Sequence, residues 1–67
     1  MLAAQFYLDA TNQPYGYPVL VTPAFCHEIS RASGRHSPNG VANELRQGYT
    51  VAVPGGFYMT ADDWEGR

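Results

Sequence analysis

The chain has 67 residues, a formal net charge of −2, four arginines without any lysine, and one cysteine. This length leaves room for one small domain, the single cysteine excludes an internal disulfide, and the weak negative charge argues against nucleic-acid binding over the whole surface. No stretch approaches the ~20 apolar residues of a membrane span, and residues 1–10 lack the basic and long apolar regions of a signal peptide, so we expect a soluble cytoplasmic protein.

The first predicted elements are two β-strands that form a hairpin. Residues 5–10 (QFYLDA) alternate apolar and polar side chains, which is the period of a half-buried strand. Residues 11–16 (TNQPYG) are typical of a turn, and residues 17–22 (YPVLVT) return to strand character. We therefore expect an N-terminal hairpin with a loop of about five or six residues.

Two short helices are predicted next, between residues 22 and 48. Each begins with a capping residue followed by proline and ends at a glycine. These residues are Thr22, Pro23 and Gly34 for the first helix, and Ser37, Pro38 and Gly48 for the second. Because only residues 34–36 separate the helices, the pair fits either a helix-turn-helix unit or a helical corner that covers a sheet.

The apolar spacing predicts which face of each helix is buried. Phe25, Ile29 and Ala32 form one stripe on the first helix, and Val41 and Leu45 form another on the second. A stripe of this kind is stable only when it packs against another element. We expect both stripes to share one core with the β-strands.

The residues after the helices predict a second hairpin. Two β-rich segments flank Gly55 and Gly56, which can adopt the positive φ angles of a type I′ turn. That turn would pair Val53 with Tyr58, Val51 with Thr60, Ala52 with Met59, and Pro54 with Phe57.

The predicted element order is ββ-αα-ββ, an α+β fold in a single domain over residues 1–67. In this fold the helical pair packs on the C-terminal hairpin, and the N-terminal hairpin is an addition. A helical turn is also predicted after the last strand, starting at Thr60, with Trp64 folding back onto the core.

Several local features of this order occur together in one known module. A small residue and a glycine end the first helix, a serine opens the second and a glycine closes it, here Ser33, Gly34, Ser37 and Gly48. A hairpin tipped by two glycines follows, and residues 57–65 (FYMTADDWE) continue as an apolar strand into an acidic helix start. Over residues 22–65 the chain resembles a winged helix-turn-helix of the excisionase and MerR-like type. The resemblance implies that the second helix enters the major groove of double-stranded DNA and that the last hairpin acts as a wing.

The outward face of the second helix would then read DNA bases. Projected at 100° per residue, its polar residues cluster opposite the apolar spacing, at Asn39, Asn43, Arg46 and Gln47. Asn and Gln pair with adenine, and Arg pairs with guanine. Phosphates would be contacted near the helix junction by Arg31, Arg35 and His36, with Ser37 beside them. Alternatively, these residues form the solvated face of an amphipathic helix, and the sequence leaves both interpretations open.

The aromatic residues exceed what so small a core can bury. There are five tyrosines, three phenylalanines and one tryptophan, and Tyr and Trp are enriched where proteins meet other proteins. Candidates for such an interface, with a host protein or with a second copy of the chain, are Tyr7, Tyr15, Tyr17, Tyr58 and Trp64. The alternative is that these rings are half-buried in the domain with their hydroxyls in water.

No group of residues predicts catalysis or metal binding. Cys26, His27 and Glu28 are consecutive, and neighbours on a helix point about 100° apart, so they cannot close on one ion. The acidic residues of the tail are better explained as helix N-terminal charges, at Asp62, Asp63 and Glu65. We expect no metal, no cofactor and no enzymatic activity.

Two functional hypotheses follow from these patterns. The first is a small winged helix-turn-helix DNA-binding regulator, or an excisionase-like architectural factor, of the kind that phages and mobile elements encode, acting as a homodimer. The second is a small non-enzymatic inhibitor or adaptor that binds a host protein through an aromatic, weakly acidic surface. The element order favours the first hypothesis, whereas the negative charge, the missing lysines and the neutral hairpin tip favour the second. We take the first as the leading hypothesis by a narrow margin.

Overall fold

The computed structural model describes residues 2–61. Its elements confirm the predicted α+β fold and the order ββ-αα-ββ. They are β1 (Ala3–Leu8), β2 (Val19–Leu20), α1 (Pro23–Ser33), α2 (Pro38–Arg46), β3 (Val51–Val53) and β4 (Gly56–Thr60). None of the helices in this part of the chain has the length and apolar character to cross a membrane.

The two hairpins join into one four-stranded antiparallel sheet with the order β2-β1-β4-β3. The junction is the pairing of β1 with β4, which runs from Ala4 opposite Thr60 to Leu8 opposite Gly56. The sequence analysis did not predict this pairing, because it treated the N-terminal hairpin as an addition. In the structure β1 is a central strand, and the sheet depends on it.

Both helices pack on one face of this sheet. From α2, Val41 and Leu45 are fully buried as predicted, and the hydroxyl of Thr60 on β4 donates a hydrogen bond to the Leu45 carbonyl. From the sheet, Ala4 and Val51 complete the core. Because Val41 and Leu45 hold one face of α2 against the core, the opposite face of α2 stays in solvent.

The helix ends follow the predicted capping except at the end of α2, where Gln47 is the C-cap and Gly48 follows it in the left-handed region with φ of 83°. The Thr22 hydroxyl accepts a hydrogen bond from the Phe25 amide at 3.1 Å, and the Ser37 hydroxyl accepts one from the Gly40 amide at 3.0 Å. Gly34 ends α1 in the left-handed region with φ of 69°. These caps satisfy backbone amides that have no partner inside the helix, so the boundaries are set locally.

The buried stripe of α1 is rotated relative to the prediction. Ile29 is buried and Phe25 is half-buried, as the spacing required, but Ala32 is exposed. Cys26, which the spacing places at the flank of this stripe, is buried. The reason is that α1 packs towards α2 as well as towards the sheet, so residues on its α2 side are covered too.

The first hairpin begins and bends differently from the prediction. β1 covers Ala3–Leu8 instead of residues 5–10, and of residues 17–22 only Val19–Leu20 form β2. Near the turn, the Tyr15 amide donates to the Phe6 carbonyl at 2.9 Å, whereas further along Ala3 pairs with Leu20. Between these two pairings β1 advances three positions, from Ala3 to Phe6, whereas the second arm advances five, from Tyr15 to Leu20. The two extra residues form a bulge in the second arm.

The register of the second hairpin differs from the predicted one. Val51 pairs with Tyr58 and Val53 with Gly56, so Pro54 and Gly55 form the turn. Proline cannot adopt positive φ, and only Gly55 does so, at 89°, which is the pattern of a type II turn rather than type I′. The shift is two residues, so the predicted faces are unchanged: Val51 points to the core and Ala52 to solvent.

Only the start of the helical turn that was predicted after the last strand lies within the described residues. Thr60, its proposed first residue, is the last residue of β4. Trp64 and the three acidic residues of the tail lie outside the described residues.

Candidate functional site

The first candidate surface is the outer face of α2. The four polar residues predicted to read bases are all exposed, and they lie opposite the fully buried Val41 and Leu45; they are Asn39, Asn43, Arg46 and Gln47. No other element of the described chain covers them. An uncovered polar face of this kind can enter a DNA groove, and it can equally face water.

Two residues of this face are bonded to each other. The Arg46 guanidinium donates a hydrogen bond to the Asn43 side-chain oxygen at 3.0 Å, one turn of α2 away. The bond lays the arginine along the helix and leaves the remaining donors of both side chains free. The pair can therefore present several N–H groups together to an acceptor-rich surface such as the edge of guanine.

The residues predicted to contact phosphates lie around the turn between the helices. Arg31 and Arg35 are exposed. His36 is half-buried, and its carbonyl accepts a hydrogen bond from the Ser30 hydroxyl at 2.5 Å. The Ser37 oxygen already serves as the cap of α2. Of these four residues, the two arginines are thus the ones that present an exposed, positively charged side chain.

The C-terminal hairpin is built into the sheet on one side. β4 is hydrogen-bonded to both β1 and β3, and the Asp9 amide donates to the Gly55 carbonyl at the turn, at 3.0 Å. The tip of the predicted wing is thus tied to the loop after β1. Within residues 2–61, the strand β3 forms the edge on this side of the sheet.

The second candidate surface is an apolar groove between α1 and the first hairpin, which we call the tyrosine groove. It encloses about 570 Å³ and is lined by residues from five segments: Phe6, Tyr15, Gly16, Tyr17, Val19, Ile29, Ala32, Val53, Pro54 and Tyr58. Three of the five predicted interface residues, Tyr15, Tyr17 and Tyr58, thus come together here. Tyr7 lies on the opposite face of the sheet, stacked on Phe57, and Trp64 is outside the described residues.

The floor of the tyrosine groove is a chain of aromatic contacts. Phe6 lies between Tyr15 and Tyr58, with ring centroids 6.5 Å and 5.1 Å away, and Phe25 meets Tyr58 edge-on at 5.2 Å. These distances are within the range of favourable ring pairs, so the floor is held by packing. Tyr17 on the rim is 92% exposed and Tyr15 is 64% exposed.

One ionisable group of the groove is perturbed. Burial raises the pKa of the Tyr58 hydroxyl above its usual value, and the nearby Glu28 carboxylate adds to the rise. Both causes act against the phenolate, which is the charged form. The hydroxyl of Tyr58 is therefore neutral at physiological pH and able to donate a hydrogen bond.

The residues that the sequence analysis considered for metal binding do not converge on one site within the described residues. Cys26 is buried and His27 is exposed, and both border a smaller groove of about 290 Å³ between α1 and α2. Within residues 2–61 there is no group of three or more His, Cys, Asp or Glu residues that could hold a metal ion.

Sequence reasoning did not find the non-tyrosine part of the groove. Phe6 and Pro54 were assigned to strand and hairpin pairs, and Val19 to a strand, without any indication that they would meet. Phe6 and Pro54 are 48 positions apart in the chain, and only the pairing of β1 with β4 brings them together.

Comparison with protein-family models, with curated proteins and with solved structures gives no match for this chain.

Proposed function

We propose that the protein is a small DNA-binding regulator or architectural factor that places α2 in the major groove. The observation that carries this proposal is the division of α2 into two faces. Val41 and Leu45 are fully buried, whereas the four polar residues that can read bases are all exposed on the other side. A helix held rigidly by its buried face and free on its polar face is the arrangement that direct readout needs.

The charge distribution supports contact on the side of the helical pair. Between residues 31 and 48 there are three arginines and one glutamate, so this part carries a local charge of +2 although the chain carries −2. Arg31 and Arg35 lie on α1 and in the turn, and Arg46 lies on α2. Phosphate contacts from these arginines would position the helix, and Asn43 with Arg46 would supply specificity.

The size of the domain limits one protomer to one half-site on DNA. Its longest dimension is 30 Å, which is less than the ~34 Å between two successive major-groove half-sites on one side of the duplex. One protomer can thus read one half-site, and two protomers would read a pair.

Salt dependence of binding to duplex DNA tests the proposal. Neutralisation of about three phosphates per protomer predicts a slope near −3 in a plot of log K against log salt concentration. Fluorescence anisotropy with a random duplex measures the slope, and selection from a random library supplies the preferred site. The double variant Asn43→Ala with Arg46→Ala should lose the preference for that site and retain its helical circular dichroism.

A further variant, Arg31→Ala, tests phosphate contacts separately from base contacts, and Gln13→Ala is its control. Arg31→Ala should weaken binding to every duplex alike and reduce the salt slope by about 1. Gln13→Ala, in the exposed loop after β1, shortens an amide side chain far along the chain from α2 and should change nothing. Undetectable binding at low salt, or site preference that survives the double variant, would refute the proposal.

A further inference from the structure

The tyrosine groove has the features of a surface that binds another chain. Tyr15, Tyr17 and Val19 border it and are 64%, 92% and 42% exposed. Small domains do expose single apolar residues, but here several lie next to each other around a cavity of about 570 Å³. This surface is separate from the polar face of α2, since α1 and the first hairpin form its walls.

The groove suits an extended backbone. Its floor is a row of rings from Tyr15 through Phe6 to Tyr58. Proline-rich segments in the polyproline II conformation bind grooves that are lined by aromatic residues. Such segments have no internal hydrogen bonds, so their carbonyls need donors. The hydroxyls of Tyr15 and Tyr17 take part in no side-chain hydrogen bond within residues 2–61 and can supply them.

One end of the groove lies next to a positive charge. Arg35 lies at one end, in a small neighbouring hollow that shares Ala32, Val53 and Pro54 with the groove. The Glu28 carboxylate lies near Tyr58 of the floor, where it acts against the phenolate form.

We propose that the tyrosine groove binds an extended, proline-containing segment of another protein, with acidic residues of that segment placed at the Arg35 end. The aromatic floor sets the preference for proline, and the positive charge of Arg35 sets the direction. The protein would then act as an adaptor that joins a partner to whatever α2 binds. This inference is tested without DNA, because the lining of the groove and the polar face of α2 share no residue. Arg35, at the end of the groove, is used by both proposals.

Peptide titration of the full-length, ¹⁵N-labelled protein tests the inference. The probes are two synthetic ten-residue peptides with a proline-rich core. One carries three glutamates at its N-terminal end, and the other carries them at its C-terminal end. The same core with three lysines and a glycine-serine core with three glutamates serve as comparisons. We expect the acidic proline peptide to shift the amide resonances of Tyr17, Val19, Ala32 and Val53, and the other two to bind at least tenfold more weakly.

Variants then assign the binding to this groove. Tyr17→Ala should weaken the acidic proline peptide about tenfold, because truncation of a tyrosine anchor at an interface typically costs that much. Tyr17→Phe should recover part of the loss, since it keeps the ring. Tyr49→Ala is the matched control, because Tyr49 is 57% exposed but does not line the groove. Arg35→Glu should reverse the preference between glutamate and lysine peptides.

Three results would overturn the inference. The first is equal binding of the glycine-serine peptide, and the second is a set of shifted resonances away from the groove. The third is a dimer of the free protein that Tyr17→Ala dissociates, since a second copy would then be the occupant. Folding of each variant is verified from the dispersion of its own spectrum, and the high exposure of Tyr17 makes its substitution mild.

Discussion

At the scale of single residues, Gln5 shows how one polar side chain supports an irregular strand pair. It is only 8% exposed, and its amide group donates to the carbonyls of Phe6, Tyr15 and Gly16 at 2.8, 3.2 and 3.2 Å. Two N–H bonds are thus shared among three acceptors on both sides of the bulge. The bulge interrupts the backbone ladder, and Gln5 replaces the donors that the ladder would have supplied. It thereby also holds Tyr15 and Gly16 where they line the tyrosine groove.

We therefore expect Gln5→Leu to destabilise the protein. The substitution keeps most of the volume but removes the side-chain donor of the Tyr15 and Gly16 carbonyls, at a cost of about 1–3 kcal/mol, whereas the Phe6 carbonyl keeps the Tyr15 amide. Urea denaturation followed by circular dichroism measures this loss. Gln13→Leu is the control, because Gln13 lies in the exposed loop and its side chain makes no hydrogen bond in the described structure. Equal stability of the two variants would contradict the role assigned to Gln5.

At the scale of elements, the close approach of β1 and β4 explains the register of the second hairpin. A Cβ atom on Gly56 would lie 2.0 Å from the Tyr7 carbonyl oxygen and 2.6 Å from the Phe6 ring, which is closer than real atoms come. Position 56 must therefore be glycine because of a neighbouring strand, not because of the turn. The turn itself needs only Gly55, with its φ of 89° and open space around it.

These two glycines should respond differently to substitution. Gly56→Ala forces β1 and β4 apart and should cost about 3 kcal/mol or more, at the upper end of overpacking effects. Gly55→Ala meets no atom and should cost only the strain of positive φ, about 1–2 kcal/mol. Thermal unfolding of both variants measures the difference. If Gly55→Ala were the more damaging of the two, the pairing of Gly56 with Leu8 would be wrong.

At the scale of the whole molecule, the N-terminal hairpin completes the sheet under the helices. β1 pairs with β2 on one edge and β4 on the other, and Ala4 of β1 is fully buried in the core. A domain of this size has little apolar burial to spare. The helix-turn-helix unit and the second hairpin should therefore be unable to fold without β1, although the family resemblance covers them alone.

A chain that begins at Thr22 tests this dependence. We expect it to lose helical circular dichroism and to give a collapsed ¹H–¹⁵N spectrum, because β4 would expose one edge and the core would lose Ala4. The control is the full chain with residues 10–12 of the exposed loop replaced by glycines, which should remain folded. A dispersed spectrum from the shortened chain would show that the helical pair and the second hairpin are sufficient.

The sequence by itself determined the features that depend on residues a few positions apart. The caps at Thr22 and Ser37, the left-handed Gly34 and the buried spacing of Val41 and Leu45 follow from local backbone chemistry and helix periodicity. The polar face of α2 was predictable for the same reason. The faces of the second hairpin were also predictable, because a slip of two residues leaves side-chain alternation unchanged.

Only the tertiary structure decided what depends on distant segments. The pairing of β1 with β4 joins residues more than 40 positions apart, and no local pattern records which strand edge will meet which. That pairing placed Gly56 in a strand, moved the turn to Pro54 and Gly55, and brought Phe6, Tyr15 and Tyr58 into one groove. Periodicity specifies the face of an element, whereas neighbours and register are set by the packing of the complete chain.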